Sequence, residues 1–138
     1  MHNSMPIINI KFSSFNLGQH LLRLGIASVF LWFGFSQLLD SLRWVSLVPD
    51  WAVNLSHLPP AMIVLGNGAF EIILGSFIAT NILVRIPALI LGLHLIPIML
   101  DFGATAIGVR DFGLIIATFA LALIYGSDKE EPTSLNRL

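Results

Sequence analysis

Glu71 sits in the middle of the apolar run "PAMIVLGNGAFEIILGSFIAT", from Pro60 to Thr80. An ionisable group at bilayer depth costs about 2.5–3.5 kcal/mol or more, so it needs a partner or a task. On a helix, Asn67 lies one turn before Glu71 and Gly75 one turn after, all on one face, with Gly68 on the flank. Small residues let a neighbouring helix approach closely. Glu71 is therefore expected to point into a helix bundle. There it pairs with a cation, stays protonated, or handles a proton or ligand. A purely structural hydrogen-bonding role is equally open.

His94 is the second group at depth. Pro87, His94 and Asp101 recur at seven-residue spacing, and Leu91 and Ile98 complete the stripe. Pro87 and Pro97 each remove a backbone donor, and a carbonyl freed by either is a ready partner for the imidazole. His94 then reads as a packing histidine, with a relay role as the alternative. No metal site is expected, because no second His stands three or four positions away and the chain has no Cys. A third group gathers where two spans meet. Asp101, Arg110 and Asp111 flank "DFGATAIGVRDFG", and Asp111 begins a stripe with Thr118 and Tyr125. An Arg between two carboxylates is a structural clasp, or else a seat for a polar headgroup such as a quinone ring or a small anion. Asp111 also complements a helix dipole. Arg23, with His20 nearby, is long enough to snorkel to the membrane surface. Gln37 can hydrogen-bond across helices.

The scaffold that positions these residues follows from composition. Of 138 residues, 56% are hydrophobic and 11% charged, where a soluble domain carries roughly 25% charge. Mean hydropathy is +0.86. Such a chain cannot cover itself with polar surface, so lipid is its expected solvent. Four runs approach the roughly 20 residues a spanning helix needs: Leu17 to Leu39, Pro60 to Thr80, Ile82 to Leu100 and Val109 to Gly126. The expected fold is all-α, an integral membrane four-helix bundle with a short interfacial helix between spans one and two.

That helix is expected in "DSLRWVSLVPDWAVNLSHLPP". Pro49 suits a first helical turn, with Asp50 beside it. Trp44 and Trp51 are expected at headgroup depth, the simplest reading being an anchoring loop. The organisation expected is an N-terminal segment over 1–16, a membrane domain over 17–126 and a polar tail over 127–138. Met1 to Asn16 lacks the basic start, short apolar core and A-x-A site of a cleaved leader, so span one is expected to be retained. Lys11, Arg23, Arg85, Lys129 and Arg137 fall on the side of the termini, against Arg43 and Arg110 on the other. The positive-inside rule then puts both termini in the cytoplasm, with the cell's inner membrane as the location.

Several functions are excluded. A net charge of -1 with scattered basic residues does not suit nucleic-acid binding. The two "DFG" triplets lack every other kinase element, and "GNG" lacks the strand and acidic partner of a dinucleotide site.

Taken together, four stretches carry a family resemblance. They are "LRLGIASVFLWFGFSQLL" in span one, "GAFEIILGSFIATNI" in span two, Arg85 ahead of "IPALILGL", and "RDFGLIIATFALAL" in span four. From about Leu17 to Tyr125 the chain resembles the DoxX family of small membrane proteins. It departs at Gln37, where members often carry Lys. The resemblance implies a four-helix membrane bundle. Some members are subunits of quinone-linked oxidoreductases acting on thiosulfate or in terminal oxidation, and others associate with redox-defence enzymes. Catalytic residues are not agreed for the family, so only the Glu71 position carries over.

The leading expectation is an accessory subunit of a quinone-linked membrane oxidoreductase complex, partnered by the bilayer and by other membrane or redox subunits. No tightly bound cofactor is expected, while a quinone is allowed, as is a homo-oligomer. The alternatives are a non-enzymatic scaffold or chaperone-like bundle, and an oligomeric small-solute or proton carrier using Glu71 and His94 as relays.

Overall fold

The computed structural model describes residues 14–127. Residues 1–13 and 128–138, with Lys11, Lys129 and Arg137 of the orientation count, lie outside the described residues. Helix α1 (Ser14–Leu39) leads to α2 (Ser41–Trp44), a 3-10 turn (Val45–Leu47) and α3 (Asp50–Ser56). Then follow α4 (Pro60–Ala79), α5 (Arg85–Phe102) and α6 (Ala106–Ser127). Four of these helices, α1, α4, α5 and α6, are long and apolar enough to cross a membrane. The protein is an all-α, multi-pass membrane bundle.

Local sequence sets the ends of these helices. Pro59 and Pro60 open α4, with Pro60 at a first-turn position where its missing N–H is no loss. The α4 terminus closes with crossed hydrogen bonds: Ile82 N donates to Phe77 O at 2.9 Å and Asn81 N to Ile78 O at 3.2 Å. Asn81 holds the left-handed conformation (φ 63°) that this closure requires and that Asn tolerates. This turn occupies the residues expected to begin span three, so α5 starts at Arg85 instead of Ile82. Pro87 falls in its first turn, where the ring is tolerated. At the other end, Gly103 takes φ 54° and ends α5. Span four starts earlier than expected, at Ala106.

The bundle is built from two close pairs. Along α1 and α4 the helices meet through Gly34, Gly68 and Gly75. On α5, Gly92 lies under the Phe119 ring of α6. The α1–α6 and α4–α5 seams are packed more lightly. Phe30, Ile78, Leu91 and Leu121 fill the apolar centre. Within that interior Thr118 is fully buried, its hydroxyl donating to Leu114 O at 2.6 Å.

The connector differs from a plain anchoring loop. The expected short helix is present as α3, with Pro49 as its N-cap. Trp44, however, folds back on α1. Its Nε1 donates to Ser36 Oγ at 3.2 Å, and its ring meets Phe33 edge-on at 5.5 Å between centroids. The indole nitrogen finds its partner on the bundle, so the connector closes over the helix ends.

Candidate functional site

Gln37, Asn67 and Glu71 form a hydrogen-bonded triangle between α1 and α4. Gln37 Nε2 donates to Glu71 Oε2 at 3.2 Å. Asn67 Nδ2 donates to Glu71 Oε1 at 3.1 Å and to Gln37 Oε1 at 2.8 Å. Both carboxyl oxygens thus accept from amides, and the acid is satisfied without a cation in contact. Glu71 is 4% exposed, pointing into the bundle as its neighbours on the helix require. The close passage of Gly34 and Gly68 brings the two helices near enough for Gln37 to reach it.

Arg110 and Asp111 form the charged wall. Two guanidinium nitrogens of Arg110 converge on Asp111 Oδ1, at 2.8 Å from Nε and 2.7 Å from Nη2. The guanidinium also lies over the Phe33 ring, 4.7 Å from its centroid. Asp111 is buried while Arg110 is half exposed. Both are close enough to act electrostatically on Glu71.

His94 stands opposite on α5. Its ring tilts against Phe70 at 4.9 Å between centroids. Its Nε2 is buried and has no hydrogen-bond partner. The carbonyl partner expected from the prolines is not supplied.

All of these polar groups line one cavity of about 210 Å³. Gln37, Asn67, Glu71, His94, Arg110 and Asp111 face it among apolar and aromatic walls that include Phe30, Phe33, Trp44, Trp51 and Phe102. The polar site at depth and the outer cluster, distinct in sequence, are a single site. Asp101 does not join it. That residue is exposed, and the ion pairs among the described residues are Arg110–Asp111 and Arg43–Asp40. A seven-residue stripe drifts about 20° per heptad around a straight helix. Accordingly Pro87 and Leu91 are buried, His94 and Ile98 partly so, and Asp101 faces outward.

Arg23 also departs from expectation. It turns inward instead of snorkelling, and Nη1 donates to the carbonyls of Ile78 at 2.9 Å and Ala79 at 2.5 Å. These are terminal carbonyls of α4, where a cation complements the helix dipole.

The sequence profile of the DoxX family matches residues 18–104, which hold the triangle and His94. The chain belongs to the DoxX family. No curated protein and no solved structure matches it. In this DoxX protein, Arg110 and Asp111 lie beyond the matched residues, on α6, and complete the cavity that the matched helices begin. Gln37, expected only to bond across helices, is a member of the site. So are the aromatic walls, which apolar sequence alone did not distinguish from lipid-facing residues. No group of three His, Asp or Glu side chains among the described residues could hold a metal ion.

Proposed function

We propose that this DoxX protein is an accessory membrane subunit of a quinone-linked oxidoreductase complex, and that its cavity receives the quinone ring. One observation carries this reading: six polar side chains converge on a cavity between the apolar helices, whose walls are aromatic and apolar. A flat ring with carbonyl oxygens suits such a site, stacking on Phe33 or Trp44 while accepting hydrogen bonds. His94 Nε2 offers an unused polar atom. The chain has no Cys, and any redox cofactor would belong to a partner subunit. The location proposed is the inner membrane, with both termini in the cytoplasm, supported by the Lys and Arg distribution.

The test is purification from native membrane, followed by mass spectrometry of bound small molecules and partner chains. Quinone together with oxidoreductase subunits is the expected result. Recovery of neither overturns the proposal.

A scaffold role has its own support. The Gln37–Asn67–Glu71 triangle is internally satisfied and ties two helices together. Under that reading Glu71→Gln preserves function, since it keeps hydrogen-bonding capacity without the charge.

A further inference from the structure

A second hollow lies on the lightly packed seam between α4 and α5. Ile63, Gly66, Asn67, Phe70 and His94 line it. The first four recur on one face of α4 at helical spacing, and His94 faces them from α5. Ile63, Asn67 and His94 also line the central cavity. The two spaces therefore meet at these three side chains. Around the seam, Met62, Leu65 and Ile73 on α4 and Leu93 on α5 are exposed. Gly66–Phe70 and His94 lie midway along their helices, so the outer hollow opens at hydrocarbon depth.

Gly66 keeps that opening clear. Gly66 is exposed, and a Cβ placed on it meets nothing within 4 Å. At the junction stands His94, with its unpartnered Nε2. A buried polar atom without a partner carries an uncompensated desolvation cost, which a ligand bonding there would recover. On the connector side, Trp44, Trp51 and Ala52 line the cavity.

We infer that the cavity's ligand is a bilayer-dissolved molecule with a ring-sized polar head and an apolar tail. It passes between α4 and α5 at Gly66, with His94 the first polar group it meets. Bound, the head lies toward Gln37, Asn67 and Glu71, and the tail leaves through the seam into lipid. This rests on the reading of the cavity as a ligand site and adds the route and the amphipathic form of the ligand.

The experiment uses the full chain in phosphatidylcholine vesicles, with Trp32→Phe to remove a lipid-exposed fluorophore. Trp44 and Trp51 then report on the cavity wall. The probe is a decyl-tailed benzoquinone, and quenching is followed by stopped flow. Gly66→Phe and the milder Gly66→Leu narrow the seam. Leu65→Phe places a phenyl ring on the neighbouring, lipid-facing position, and Ala52→Phe adds bulk on the connector side. Association slows about tenfold in Gly66→Phe and less in Gly66→Leu, and affinity falls in the same order because the bound tail occupies the same seam. Leu65→Phe keeps the parent rates, and Ala52→Phe, whose bulk falls on the cavity wall itself, slows association less than Gly66→Phe does. Slowing by Ala52→Phe but by neither Gly66 variant overturns the route while leaving the cavity reading standing. Parent protein with no saturable quenching overturns both.

Discussion

The carbonyl oxygen of Gly68 lies 2.7 Å from where a Cβ on Gly34 would stand, and that of Gly34 lies 2.8 Å from a Cβ on Gly68. Neither backbone can accept a methyl group without moving. Overpacking of this kind costs about 1–3 kcal/mol. Gly34→Ala and Gly68→Ala are expected to lower the melting midpoint of the purified protein. Gly25→Ala is the control: its Cβ would meet nothing within 4 Å, and Ala is the better helix former by about 1 kcal/mol. Equal melting of all three variants would show that the helices do not need this approach.

That approach delivers Gln37 to Glu71, so the triangle makes a second prediction. Glu71→Leu removes the acceptor for two amide donors, from Gln37 and Asn67. Leaving a buried donor unsatisfied costs about 1–3 kcal/mol. Glu71→Leu should therefore melt well below the parent, while Glu71→Gln, which retains one of the two acceptor oxygens, loses less. Detergent-solubilised thermal melts read the difference. If Glu71→Leu is as stable as Glu71→Gln, the triangle does not hold the bundle together.

The spans were legible because length and hydropathy alone decide what can cross a bilayer. Glu71 was legible because an acid among apolar residues has few places to go. The Asn67–Glu71 link follows from four-residue spacing on one helix. What spacing could not show was contact between helices. Gln37 looked like an ordinary polar residue at a span end until Gly34 and Gly68 set the distance to α4. Arg23 was read from side-chain length, which permits snorkelling, whereas the partner that turned it inward is the end of a distant helix. Asp101 was grouped with Arg110 and Asp111 by its place beside the same connection, whereas the end of α5 leaves it exposed and outside the cavity.

Arg23 reaches the Ile78 and Ala79 carbonyls at a helix end where the backbone has already closed on itself. Hydrogen bonds from a charged donor contribute about 1.5–3 kcal/mol. Arg23→Met keeps much of the apolar stem and loses these bonds. It is expected to loosen the α4–α5 turn more than the bundle centre. Amide hydrogen exchange should speed up at Asn81 and Ile82, with little change at Leu121. Uniform acceleration across the chain would instead mean that Arg23 supports the whole fold.

The two ion pairs differ in burial, and this gives a graded prediction. Arg43 and Asp40 are exposed at 75% and 50%, so solvent screening leaves their pair about 0–1 kcal/mol. Asp111 is 2% exposed beneath a half-exposed Arg110, which also covers Phe33. Arg110→Ala strands a buried carboxylate and uncovers an aromatic ring, so it should destabilise clearly more than Arg43→Ala. Replacing both partners, Arg110→Met with Asp111→Asn, removes the stranded charge and should recover part of the loss. Melting midpoints of the two single variants and the double variant measure this directly. Recovery in the double variant identifies the unpaired acid as the source of the loss. A double variant no more stable than Arg110→Ala would place the contribution of Arg110 in its contact with Phe33.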